Sequence, residues 1–156
     1  MIPTQLTREL SARPEQISET VRWVTREAPS WVDPLVLDTG LTEALTNAIV
    51  HGVLGVSSSS RTEDVTEYLD EVERRLQSVD PTSRVTVTLN RADSRFLVTL
   101  SWRGAPCPVE NRMPRSVPEP LAGSGLGTTL IHASFDEVCW GDDGRSVKLQ
   151  LKRRDV

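Results

Sequence analysis

The sequence predicts an α+β fold in two layers, with helices covering one face of a mixed, mostly antiparallel sheet. Three observations carry that reading. Apolar residues at helical spacing dominate the first third, strictly alternating segments follow, and one late helix separates two further alternating segments. A length of 156 residues allows one hydrophobic core and is short for two ordinary domains. With 37% hydrophobic and 26% charged residues, the composition is that of a globular chain.

Residues from Ile2 to about Leu10 read as an extended edge strand. Pro14 suits a first helical turn, and Ile17, Val21 and Val24 recur at helical spacing. That helix should stop near Ala28, because the residue before Pro29 is pushed out of the helical region. Asp33-Pro34 caps and opens the next helix, which runs to about Gly52. Serine-rich residues from Gly55 to Arg61 read as a loop, and Thr62 to Gln77 as a charged helix with Val65, Leu69, Val72 and Leu76 on one face. Arg84 to Asn90 alternate as a strand, and Phe96, Val98 and Leu100 mark its hairpin partner across a turn from Asn90 to Ser94. The stretch from Ala105 to Glu119 contains Pro106, Pro108, Pro114 and Pro118, which excludes regular structure. A helix then runs to about Ser134. A closing hairpin, Glu137 to Trp140 and Ser146 to Leu151, turns at Asp142-Asp143-Gly144. No internal repeat is evident.

Composition narrows the function classes. No apolar run approaches the roughly 20 residues that span a bilayer, and the N-terminus lacks the basic start and apolar run of a signal peptide. A cytoplasmic protein is the expectation. Cys107 and Cys139 have no metal-ligand spacing with His51 or His132 and are expected to be free thiols. A net charge of −4 argues against a nucleic-acid groove, and the short tail Lys152-Arg153-Arg154 does not alter that.

The most informative string is Leu41-Thr42-Glu43-Ala44-Leu45-Thr46-Asn47-Ala48-Ile49-Val50-His51-Gly52. Glu43, Asn47 and His51 fall four residues apart, on one flank of a helix, beside an apolar stripe of Leu37, Leu41, Leu45 and Ala48. A carboxylate and a carboxamide one turn apart suit Mg-nucleotide chemistry. Asn47 offers Mg²⁺ a hard oxygen, and Glu43 can polarise an attacking hydroxyl or water. From spacing alone, a solvated polar edge of an amphipathic helix is the commoner reading. A second motif, Ala122-Gly123-Ser124-Gly125-Leu126-Gly127-Thr128-Thr129, sets three glycines at alternate positions before a helix. Such a loop lets backbone N–H groups approach phosphate, although many glycine clusters before helices only turn the chain.

The two motifs in this order, in a chain this short, resemble the GHKL ATPase superfamily, and in particular its anti-sigma factor and serine-protein kinase branch. Glu43-x-x-x-Asn47-Ala48-x-x-His51-Gly52 matches that family's N box, and Gly123 to Gly127 match its second glycine box. The resemblance covers most of the chain. It implies a Bergerat-type sandwich of one domain, with the helix at about 55–80 as an insertion. It also implies a Mg-ATP site in which Glu43 acts on the serine hydroxyl, Asn47 holds Mg²⁺, and Gly123, Gly125, Leu126 and Gly127 wrap the phosphates, with His51 completing the N-box string. The implied function is a regulatory switch that binds a sigma factor and a STAS-type anti-anti-sigma antagonist, phosphorylating the latter. No direct nucleic-acid or membrane contact is implied, and a homodimer is compatible with the resemblance.

The family carries a further Asp-x-Gly box whose aspartate reads the adenine amino group. The matching string here is Ser101-Trp102-Arg103-Gly104, in which Gly104 fits and Trp102 stands at the aspartate. Indole has one donor and no acceptor, so it cannot make that contact. Three outcomes stay open. Trp102 stacks on a repositioned base, or it blocks nucleotide and leaves a binding-only module that sequesters partners, or the base is read elsewhere. Arg112 and Arg115 lie in the proline-rich segment, either as phosphate-binding or as solvated loop residues. His132 reads as structural, and Trp23, Trp31 and Trp140 as core or interface anchors.

Overall fold

In a computed structural model of the chain, residues 4–56, 65–108, 112 and 126–154 are described. Their elements are β1 (Thr4–Ser11), α1 (Gln16–Glu27), α2 (Pro34–Thr46), a π-helical segment (Asn47–Val53), α3 (Val65–Ser78), β2 (Arg84–Arg91), β3 (Arg95–Trp102), α4 (Leu126–Ser134), β4 (Glu137–Trp140) and β5 (Ser146–Lys152). The strands form one sheet in the order β1-β2-β3-β5-β4. Every pairing in it is antiparallel, so the mixed sheet expected from the pattern is uniform in sense. The expected α+β two-layer architecture is present.

Alternation along the strands sorts the two faces. Val85, Val87 and Leu89 of β2, Phe96, Val98, Leu100 and Trp102 of β3, and Val147 and Leu149 of β5 are buried beneath the helices. Their cross-strand registers, such as Val87 with Leu100 and Val98 with Leu149, keep these side chains on one face. The reverse face carries Thr7, Thr88, Thr99, Lys148 and Cys139 in one transverse row. β1 lies at the sheet edge, as expected. On its core face Arg8 lies between Leu6 and Leu10, with its guanidinium 5.5 Å from the Trp23 ring centroid.

The helices begin and stop where local chemistry dictates. The Asp33 carboxylate accepts the Leu35 N–H at 2.9 Å and Pro34 occupies the first turn, an N-cap contributing about 1 kcal/mol. Ala28, before Pro29, is already extended and ends α1. α2 is the central helix: Leu37, Leu41, Ala44 and Leu45 are buried against the sheet and the neighbouring helices. α3 was expected from Thr62; it is described from Val65, and residues 62–64 lie outside the described residues. Tyr68, Val72 and Leu76 pack on the core, while Val65 and Leu69 stay 67% and 58% exposed. Among the described residues no helix is long and apolar enough to cross a membrane.

Candidate functional site

The helix expected along residues 43–51 changes its winding within the polar motif. From Asn47 to Val53 the backbone is π-helical, and Leu54 N–H reaches the Ile49 carbonyl at 2.9 Å, five residues back. A turn that closes i to i+5 takes more than four residues, so His51 falls short of a full turn from Asn47. The expectation of one regular α-helix to Gly52 is therefore corrected in its winding from Asn47 onward, while His51 stays on the flank of Asn47.

His51 closes the helix end. Its Nδ1–H donates to the Val56 carbonyl at 2.6 Å, and the Val56 N–H donates to the Val50 carbonyl at 3.0 Å. Gly55, at φ +70°, makes the reversal between them. The ring thus satisfies a carbonyl beyond the last turn.

Glu43 and Asn47 differ from His51. Both are half-buried on the helix, and among the described residues neither side chain makes a hydrogen bond or an ion pair. Glu43 points to the start of α4. A Cβ built on Gly127 would lie 2.7 Å from Glu43 Oε2, so only glycine leaves room for the carboxylate in that position. Farther along the same helix pair, Gly40 of α2 meets Ser134 and Phe135, so the two helices pass in opposite senses. The last glycine of the second motif is in this way brought against the carboxylate of the first. Gly123 and Gly125, expected to share the site, lie outside the described residues, as does Arg115. Leu126 opens α4.

The Trp102-Arg103-Gly104 string is built as a lock. Trp102 is 6% exposed, on the core face at the end of β3. Its Nε1–H donates to the Ala105 carbonyl at 3.0 Å, and its backbone N–H to the Arg145 carbonyl at 3.0 Å. The indole lies over Gly52, where a Cβ would come within 2.8 Å of Cδ1 and 2.9 Å of Cε2. Gly104 has φ +141°, a conformation that favours glycine, and a Cβ there would meet the Gly52 carbonyl oxygen at 2.7 Å. That same carbonyl accepts the Ala105 N–H at 2.9 Å. The His51-Gly52 end of the first motif and the Trp102–Ala105 turn are thus a single packed unit.

Two residues considered for chemistry serve as fasteners. Arg112 donates from Nε to the Cys107 carbonyl at 2.9 Å, while its own carbonyl accepts His132 Nε2–H at 3.0 Å and Trp140 Nε1–H at 3.1 Å. Arg112 is not a solvated loop arginine; it ties the segment after β3 to α4 and β4. His132 has the structural role expected of it. Trp23, Trp31 and Trp140 are half-buried against the core. Both cysteines are free thiols. Among the described residues no three His, Cys, Asp or Glu side chains gather into a metal-holding group. A divalent cation beside Asn47 would take its other ligands from phosphate and water, as Mg²⁺ commonly does.

Residue-by-residue reading had Gly52 only as the end of the N-box string, without its packing against Trp102, and missed Ala105 and Arg145. Gly52 carried a signal: a glycine at a helical position costs about 1 kcal/mol against alanine, which points to a close packing need. Backbone carbonyls at 105 and 145 carried none. No model of a known protein family matches this chain, and the curated proteins contain no match to it.

Proposed function

We propose that the chain is a partner-switching regulator of the GHKL type, in the anti-sigma factor and serine-protein kinase branch. It holds a sigma factor, binds a STAS-type anti-anti-sigma antagonist, and transfers the γ-phosphoryl group of ATP to a serine of that antagonist. The observation that carries this reading is the contact of the Glu43 carboxylate with Gly127, which joins two motifs far apart in sequence. In the transfer, the serine oxygen bonds to the γ-phosphorus as the bond to the β-phosphate bridging oxygen breaks and ADP leaves. Glu43 would accept the hydroxyl proton, and Asn47 would hold Mg²⁺, which when bound would neutralise charge on the phosphates. Phosphoryl transfer rests chiefly on positioning and charge stabilisation.

Binding decides the matter first. ATP titrated with and without Mg²⁺ should raise the unfolding free energy by about 2.7 kcal/mol at 100 times the dissociation constant. That is about 5–10 °C in Tm for a chain of this size. Asn47→Ala should remove the Mg²⁺-dependent part and leave the Tm of the free protein unchanged. An unaltered Mg²⁺ response in the variant would refute the role of Asn47.

The buried Trp102 favours a second reading, a nucleotide-free module that regulates by sequestration. It requires that the wild type hold a sigma factor while ATP leaves its Tm unmoved.

A further inference from the structure

We propose that the groove between the first turn of α2, the end of α4 and the end of β5 docks an acidic protein segment that carries a large apolar side chain. The groove lies away from the Glu43–Gly127 contact, since Gly40, packed on Ser134, stands between the two along α2. The inference is independent of the nucleotide reading, and its test uses no nucleotide.

The groove has a volume of about 560 Å³, with Trp31, Val32, Val36, Phe135 and Leu151 as its apolar lining. In the first turn of α2, Leu35 and Val36 are 78% and 38% exposed, two of the four large apolar side chains so exposed among the described residues. A single surface leucine needs no account, but exposed apolar side chains beside an apolar groove mark an interaction surface. The polar groups of the lining sort by what they already hold. The Asp33 carboxylate accepts the Leu35 N–H at 2.9 Å, and the Asp136 carboxylate accepts the Lys152 N–H at 2.7 Å. The Ser134 hydroxyl donates to the Leu130 carbonyl at 2.8 Å, and Lys152 Nζ donates to the Glu137 carboxylate at 2.6 Å. Two guanidiniums remain. Arg153 is exposed, and among the described residues its side chain makes no hydrogen bond or ion pair. The Arg154 side chain is 88% exposed and meets Asp136 only at 3.5 Å.

An apolar centre with arginines at its rim has the anatomy of a protein interface. A small-molecule pocket instead orients its ligand with a few placed polar groups, and here the hydroxyl and both carboxylates are committed elsewhere. Guanidinium pairs with carboxylate through two parallel hydrogen bonds, so the complementary segment sets Asp or Glu beside a Leu, Phe or Trp seated against Trp31. Two free cations on a chain of net charge −4 are too few to track a nucleic-acid backbone. An isologous contact between two copies would bring both guanidinium pairs to one rim, where like charges oppose it.

The test is selection of displayed random peptides on the wild-type protein, followed by fluorescence anisotropy with the enriched sequences. These should combine Asp or Glu with a large apolar residue. Each should bind at least about tenfold more weakly to Arg153→Glu with Arg154→Glu, and to Val36→Asp. Both variants should fold, because the guanidiniums are exposed and an acidic residue suits the first turn of a helix. Should one of them melt early, the other carries the test. Binding should also weaken as salt rises from about 0.1 to 1 M, where the screening length falls from about 10 to 3 Å. Failure to enrich any peptide, enriched peptides without acidic residues, or affinities unchanged in the folded variants would overturn the inference. So would a dimer in sedimentation that Val36→Asp dissolves, which would give the groove to a second copy of the chain. Binding of anionic vesicles that the arginine reversal abolishes would give it to a membrane surface and overturn the inference equally.

Discussion

Replacing Gly52 by alanine sets two opposing effects against each other, and the structure decides which wins. In an ordinary helix interior the change stabilises by about 1 kcal/mol, through helix propensity. Here the added methyl would lie 2.8–2.9 Å from Cδ1 and Cε2 of Trp102. Carbon atoms in contact sit at about 3.5–4.0 Å, so the indole must withdraw by roughly 0.7–1 Å. It has little room to do so, being 6% exposed and held by its N–H to the Ala105 carbonyl at 3.0 Å. Withdrawal along that direction would carry the hydrogen bond beyond useful length. Overpacking of this kind costs about 1–3 kcal/mol, and the lost hydrogen bond about 1 kcal/mol more. Net of the propensity gain, Gly52→Ala should destabilise by about 2 kcal/mol, or about 4–8 °C in Tm. Urea denaturation and thermal melts measure it directly. A second substitution, Trp102→Phe, removes part of the ring that the methyl strikes, so the two changes should couple by about 1 kcal/mol or more in a double-mutant cycle. A Gly52→Ala protein as stable as wild type, or strict additivity with Trp102→Phe, would refute the lock between the helix end and β3.

Gly127→Ala should behave in the opposite way. Its methyl would meet only the end of the Glu43 side chain, so stability should change by less than about 0.5 kcal/mol, as for a surface substitution. Displacement of Glu43 should nevertheless slow phosphoryl transfer to the antagonist, which a radiolabel assay with melting curves in parallel would separate. Asp80 supplies a pH prediction. Its carboxyl is held below the ordinary value by the Thr82 N–H at 2.9 Å, and secondly by the Thr82 hydroxyl at 2.8 Å. A lowered folded-state pKa means a stabilising contribution present above the unfolded value and lost as pH falls through the folded value. NMR titration should find Asp80 ionising at lower pH than an unstructured aspartate, and Thr82→Val, which keeps the N–H, should reverse the shift in part. A midpoint in Thr82→Val equal to that of wild type would show that the hydroxyl contributes nothing.

How much was legible in the chain follows the range of the interactions involved. Helical spacing from Ile17 to Val24, alternation from Arg84 to Asn90, the Asp33-Pro34 cap and the Asp-Asp-Gly turn before β5 are decided among near neighbours, and each stands where it was read. The same is true of the pairing of chemistry with element: Glu43 and Asn47 are on a helix, and Gly127 is in the first turn of another. What near neighbours could not decide is anything that depends on a distant contact. The strand order places β5 between β3 and β4, which follows from covering Phe96, Val98 and Leu100 on both sides rather than from any local signal. The π winding from Asn47 to Val53 arises where the helix end meets Trp102 and Gly104, residues that no periodicity in the helix can report. α3 reads as fully amphipathic, yet half its apolar stripe stays exposed, because the amount of core surface within its reach is a tertiary quantity. Trp102 shows the division most sharply. Its chemistry, one donor and no acceptor, is a property of the residue and was readable at once; that the donor is engaged by Ala105 and the ring closed over Gly52 depends on two chain segments meeting, and only the folded structure brings them together.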